Sequence, residues 1–376
     1  MKIKLMFHDD WELWGDGSGD IHELMFDPAK RILDICDKYG AKYTFFAEFG
    51  QQLHMLKSPL KKHRKNAAAW ERFLIDAVQR GHDVQLHFHP QWIGAKYKNG
   101  KWELDFTKWS IASLEKEEIY TWLKKGVDYL TGLLKPYCGD YSVCSFRAGG
   151  WRAQPSRNLI TALQELQVIA DVTVIKGLKI ENDGFGNVDF SYAHSNILPW
   201  KADIDDVAKE DTNGSSVICM PVYSEIRFLP TILIEFLNNP LSIVYDRKRK
   251  YQKSINKERK PEYFKRKNTN KQSATNSIFG KLYNKRYFWC NFGYIHYSTI
   301  ISSLNNAIRY GKKNAIKELP FILMTHSKGF NSYENFDNLL RKLSTKKSVE
   351  FNTTRNVVRD VHSRMIKQPP DVNPVM

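Results

Sequence analysis

The sequence predicts an α/β fold, on three observations. Short β-type runs alternate with longer helical ones along most of the chain. The helical runs stop at glycine or before proline. The polar residues best suited to chemistry fall at the C-terminal ends of the β-type runs, where barrels and open α/β sheets build their sites. The first strand is expected at 3–7, before Asp9 and Asp10. Asp27 then reads as an N-cap with Pro28 at the first helical position, and Gly40 ends that helix. A strand at 42–46 closes on Thr44-Phe45-Phe46. A helix over 67–80 stops at Gly81, and a strand at 84–88 leads into His89-Pro90. A long amphipathic helix fits 114–134, ahead of Pro136. Further strands are expected at 145–147, 169–173, 217–220 and 321–325, with a helix after Pro155.

The 376 residues carry 42% hydrophobic and 13% aromatic side chains, enough for a sizeable core, which excludes a mostly disordered chain. No fixed-period repeat is present. No run of about 18 apolar residues occurs, so a membrane-spanning helix is not expected. The start of the chain reaches Asp9 and Asp10 without the apolar stretch of a signal peptide, so a cytoplasmic location is expected. Five cysteines (36, 138, 144, 219 and 290) lack C-x-x-C spacing. Neither a disulfide framework nor a cysteine-built zinc site is indicated, and a reducing compartment fits.

The net charge is +16, but it is local. Residues 247–286 hold fifteen Lys and Arg against Glu258 and Glu262, a net +13 that leaves only +3 for the rest. That segment reads as a basic insertion, and its aromatic residues argue against a plain disordered tail. A partner of opposite charge is expected, either anionic lipid at the inner membrane face or nucleic acid.

Four clusters could carry chemistry. In Phe7-His8-Asp9-Asp10-Trp11-Glu12, adjacent carboxylates point to different sides, so one can ligate a cation while the other takes a proton; a turn or cap is the bland alternative. In His87-Phe88-His89-Pro90-Gln91-Trp92, His87 and His89 at i and i+2 share a strand face and can present imidazoles to one divalent ion, unless they are simply half-buried histidines. His82 reads as a local hydrogen-bonding residue. Arg147, before Ala148-Gly149-Gly150, suits either a site carboxylate or a structural ion pair. An apolar strand delivers His326 at its end. Trp11, Trp92 and Trp151 each lie just past one of these strands, placed for stacking on a sugar ring or for core packing.

In this order, Asp9-Asp10, Thr44-Phe45-Phe46, Gly81-His82 with the His87 motif, the Arg147 loop and Leu323-x-x-His326 resemble the polysaccharide deacetylases, the family-4 carbohydrate esterases. The likeness spans roughly 1–329. It implies a distorted (β/α)7 barrel over 1–344, carrying the 247–286 insertion and followed by a tail at 345–376. It also implies metal-dependent removal of an acyl group, usually acetyl, from an amino sugar. By position, Asp9 resembles the general base, Arg147 the arginine that orients it, His326 the general acid and Asp171 the aspartate that tunes that acid. Asp10 and His87 resemble metal ligands. The family's second histidine position is Gln91 here, so His89 is expected to substitute. One divalent ion, Zn2+ by expectation, would activate water.

The expected substrate is an acetylated amino sugar on a nucleotide or lipid carrier, as in O-antigen or capsule assembly. Two alternatives stand beside this hydrolase: a nucleic-acid-binding protein driven by 247–286, and a catalytically inactive sugar-binding barrel.

Overall fold

The structure, a computed structural model, describes residues 1–181, 184–211, 215–227, 286–289, 291–330 and 332–367. Seven parallel strands form its centre: β1 (Lys2–Trp11), β2 (Tyr43–Glu48), β3 (Asp83–Phe88), β4 (Ser145–Ala148), β5 (Ala170–Asp171), β6 (Ile218–Cys219) and β7 (Glu318–Thr325). Their order is β6-β5-β4-β3-β2-β1-β7. The chain leaving β6 curls this sheet round: Val222 N donates to Val174 O at 2.9 Å and Tyr223 N to Ile322 O at 3.1 Å. This is the distorted (β/α)7 barrel that the sequence predicts, and all seven strands fall where periodicity placed them.

Five helices lie among the first strands: α1 (Asp27–Lys38), α2 (Phe49–Lys57), α3 (Lys61–Gln79), α4 (Lys116–Leu134) and α5 (Arg157–Glu165). Among the described residues three follow later: α6 (Tyr297–Lys313), α7 (Tyr333–Leu343) and α8 (Thr354–Lys367). Asp27 is not the N-cap. Helical turns begin at His22, and Asp20 Oδ1 accepts from the backbone N–H of His22 and Glu23 at 2.8 and 3.2 Å. Among the described residues no helix is long and apolar enough to cross a membrane. The four described cysteines are free.

Strand alternation divides the core in two. Leu5, Phe7 and Trp11 of β1 face outward into the layer shared with α1, α3 and α4. Met6 faces inward with Phe46, Val172, Ile218, Ile322 and Met324, filling the lumen. Val357, Val358 and Val361 of α8 join that inner cluster. Of the 345–376 stretch, expected to be a tail outside the barrel, residues 345–367 are therefore packed onto it, and 368–376 lie outside the described residues. Its short strand β8 (Val349–Phe351) pairs with Ile3–Leu5 of β1, while β2 takes the other half of the same edge at Phe7–Trp11. An amphipathic helix had an open lumen floor to cover, and its apolar face does so.

Of the basic segment 247–286, residues 247–285 lie outside the described residues. Arg286 opens a strand, Arg286–Trp289, antiparallel to Ser224–Arg227.

Candidate active site

β1 runs four residues further than the sequence suggests, to Trp11, so alternation holds through the charged cluster. His8 and Asp10 face the lumen, and Glu12 continues that face just past the strand end. Asp9 faces the other way. Its carboxylate accepts from Ser327 N at 2.8 Å, from the Ser327 hydroxyl, and from Tyr43 Oη at 3.3 Å. Asp9 is therefore not the residue that faces the cleft. It clamps Ser327, the residue between His326 and Lys328.

Burial pushes Asp9 up to about 7, against the hydrogen bonds from Ser327. The folded protein thus keeps a proton there that the unfolded chain releases at about pH 4. Between those two values the native state binds more protons, so this residue's contribution to stability falls as pH rises. Asp9→Asn mimics the protonated form. Its stability relative to wild type should grow steadily from pH 4 to 7, read by denaturant unfolding at each pH. A constant difference would mean that Asp9 ionises normally.

Asp10 is held by Arg147, whose Nη1 lies 2.5 Å from Asp10 Oδ1. Burial raises its pKa, but the guanidinium, with His87 and His326, outweighs this and leaves it below the usual carboxylate range. Arg147 is itself fully buried, and its other two nitrogens each make a hydrogen bond as well. Nε donates to Val172 O at 2.9 Å, and Nη2 to His8 Nδ1 at 2.7 Å. A buried guanidinium is tolerable only when satisfied in this way. His326 Nε2 approaches the second oxygen of Asp10 at 3.6 Å. Burial lowers the pKa of His326, keeping it neutral, although about a quarter of its side chain reaches the cleft.

Beside this pair, Glu12, Glu48, His87 and His89 bring four buried ligand atoms within 4.8 Å of one another. Asp10, expected to complete the metal set, is not among them; its Oδ1 is paired with Arg147 and its Oδ2 faces His326. Glu12 takes that place. Its Oε2 lies 2.8 Å from His89 Nε2 and 3.5 Å from His87 Nε2, and its Oε1 pairs with Lys328 Nζ at 2.5 Å.

The donor set fits a divalent ion. His87 Nδ1 donates to Arg147 O at 2.8 Å, which turns the lone pair of Nε2 into the cluster; that buried nitrogen has no hydrogen bond among the described residues. Glu48 caps α2 by accepting from Gly50 N at 2.7 Å, and its buried Oε2 likewise has no hydrogen-bond partner among them. Gln91, in the position of the missing histidine, is no ligand; its amide meets His89 Nδ1 at 2.9 Å and orients that ring. The His89 ring has room because Gly149 lacks a side chain: a Cβ there would lie 2.5 Å from His89 Cγ.

A cleft of about 200 Å³ opens onto this assembly, lined by Asp10, Glu12, Trp14, Trp109, Trp151, His326 and Lys328 among others. Of the three tryptophans expected to stack on a sugar, only Trp151 lines it. Trp11 is fully buried in the outer layer, stacked on Phe73 and Trp70 at 4.8 and 5.8 Å. Trp92 is buried against Trp102. Trp14 and Trp109, not singled out in the sequence, hold the positions that those two were expected to fill. Asp171 accepts from Thr173 N and Oγ1 at 2.9 and 2.8 Å, and the carboxylate that His326 meets is that of Asp10. His82 is local as expected, 3.1 Å from Asp37.

By sequence the chain matches no protein-family model and no curated protein. By structure it is similar to a polysaccharide deacetylase-type protein of Mycobacterium smegmatis, at 12% identity and a TM-score of 0.51, over 100% of this chain and 95% of that one. A polysaccharide deacetylase-type protein of Pseudomonas aeruginosa PAO1 aligns over 97% of this chain and 93% of its own, at 11% identity and a TM-score of 0.49. An allantoinase aligns at 11% identity and a TM-score of 0.48, over 97% and 92%. The likeness to polysaccharide deacetylases read from the sequence thus holds in the fold. The chain has the polysaccharide-deacetylase barrel, with a buried carboxylate–histidine group at its mouth that could hold a metal ion.

Proposed function

We propose that the protein is a metal-dependent hydrolase that removes an N-acetyl or other acyl group from an amino sugar. The observation that carries this reading is the adjacency of two unlike carboxylate centres at one cleft. Glu12, with His87 and His89, offers a cation its ligands; Asp10, held ionised by Arg147, remains outside that set. Glu12, His87 and His89 would hold the ion, with Glu48 beside them. Two imidazoles and carboxylate oxygen suit zinc and similar first-row divalent ions. Such an ion, when bound, lowers the pKa of water towards about 7 and polarises a carbonyl.

The chain's own residues divide the remaining work. Asp10 faces the cleft as an ionised acceptor for the proton that the attacking water gives up. His326, neutral and 3.6 Å away, is placed to take that proton from Asp10 and hand it to the departing nitrogen. Lys328 draws Glu12 to one side by its 2.5 Å contact and adds positive charge at the cleft wall. Trp151, Trp14 and Trp109 supply flat apolar surface for a sugar ring, leaving its polar edge to Asp10 and Lys328. The small cleft favours one acylated sugar unit at a time. We extend the reading to a unit carried on a nucleotide or lipid, made in the cytoplasm during surface-polysaccharide assembly.

The test is acetate release by the zinc-loaded full chain from nucleotide-linked, lipid-linked and polymeric N-acetylated amino sugars. Release from a carrier-linked sugar at well above the polymer rate is expected. Release from the polymer alone would overturn the precursor reading, and release from none would overturn the hydrolase.

A further inference from the structure

His8 lies one alternation below Asp10 on β1, fully buried in the barrel, and the proposed chemistry does not use it. Its two ring nitrogens have fixed and opposite duties. Nδ1 accepts from Arg147 Nη2 at 2.7 Å, so it carries no proton. Nε2 then carries the proton and donates it to Thr354 Oγ1 at 2.7 Å; that hydroxyl passes its own to Thr44 Oγ1 at 2.8 Å. Thr354 is the first residue of α8, the helix that covers the lumen floor. A second bond fixes that helix end, from Arg355 N to Asp83 Oδ2 at 2.8 Å.

The guanidinium of Arg147 is a rigid fork, so where one nitrogen is held determines where the others point. Nε is pinned by Val172 O and Nη2 by His8. With both fixed, the place of Nη1 is fixed too, and Asp10 Oδ1 accepts from it at 2.5 Å. An acceptor opposite Nη2 is needed, since an unpaired buried N–H would pull the fork off line. A histidine free to take the other tautomer would present N–H to N–H.

We propose that His8, with its tautomer set by Thr354 of the C-terminal helix, is a positioning residue that aligns Arg147 on Asp10 and so couples the barrel floor to the active site. The proposal rests on the functional reading above only for its kinetic readout. His8 touches neither the cleft nor the candidate metal ligands, so its loss should leave metal binding and substrate affinity alone.

The experiment compares His8→Phe, His8→Asn and Thr354→Val in the zinc-loaded full chain. Phe keeps the ring volume and removes the acceptor. Asn restores an acceptor oxygen near the place of Nδ1. A buried hydrogen bond to a charged group is worth roughly 10–100-fold. His8→Phe should lose that much in kcat with KM and zinc content unchanged, His8→Asn should recover most of it, and Thr354→Val should fall between. The second readout is independent of substrate: the side-chain N–H signals of Arg147, by NMR of arginine-labelled protein. They should exchange slowly in wild type and His8→Asn, and quickly in His8→Phe. A wild type without acetate release would defeat the functional reading, while the Arg147 signals would still decide the role of His8. Signals unchanged in His8→Phe, or an Asn variant no better than Phe, would overturn the proposal.

Discussion

Glu12→Gln and His87→Ala should each strip the protein of its divalent ion, whereas Asp10→Asn should retain it at full stoichiometry. The expectation follows from which lone pairs are free. The buried Nε2 of His87 has no hydrogen bond among the described residues, and its proton is fixed on the far side of the ring by the carbonyl of Arg147. An imidazole nitrogen buried beside carboxylates calls for positive charge between them. Burial opposes it, but the neighbouring Asp10 and Glu12 raise the pKa of His87 so that a proton can serve, and a divalent ion would take that proton's place. Removing a neighbour that merely orients a ligand costs about 10–100-fold in affinity, so removing a ligand should cost more. Gln in place of Glu12 keeps a side-chain oxygen within reach of Lys328 and His89, which limits the damage to folding. The check is metal analysis of protein purified without chelators, with a titration against a chromogenic competitor. If Asp10→Asn loses the ion while Glu12→Gln keeps it, the assignment reverts to the one that family resemblance alone gives.

That contrast shows what the sequence carries and where it stops. Each barrel strand was legible, because short apolar runs bounded by glycine, proline and charge leave little choice of element. His87 and His89 were legible as a pair because the strand period of two puts them on one face. The same rule, extended along β1, links Asp10 with Glu12 rather than with Asp9. Charged residues conceal this, since a run of His, Asp, Asp and Glu reads as the end of a strand. Those residues are tolerated in β1 because each is answered from elsewhere in the chain: His8 and Asp10 by Arg147, Asp9 by Ser327, Glu12 by Lys328. Such pairings join residues more than a hundred positions apart and leave no local pattern. Glu48 was hidden in the same way, as its helix-capping bond to Gly50 is an ordinary local role. Trp11 misled for the opposite reason. It follows the catalytic-looking residues closely, but the parity of its position sends it to the outer core.

Asp10→Asn should lower acetate release by about 10²–10⁴-fold, the usual worth of a positioned general base, while Asp9→Asn should lose only a small part of that. The two residues are neighbours in sequence and opposites in space. Asp10 lines the cleft, is kept ionised by Arg147 and stands beside His326. Asp9 is absent from the cleft lining and spends its oxygens on Ser327 and Tyr43. Loss of the Asp10 charge leaves a buried guanidinium unneutralised, and removing one partner of a buried pair costs about 3–5 kcal/mol. Thermal unfolding must therefore accompany the rate measurement, and Asn is chosen because its oxygen still accepts from Nη1. Retained zinc and a folded transition, together with lost turnover, would place the base at Asp10. Asp10→Glu supplies a second variant if the Asn protein fails to fold, since it keeps the charge and displaces the carboxylate by about one methylene. Its turnover should fall too, with the ion still bound. Near wild-type release from Asp10→Asn, coupled with collapse of activity in Asp9→Asn, would mean that the proton leaves through the outer face of the sheet, and that the cleft lined by Trp109 and Trp151 is not where the acyl group is cut.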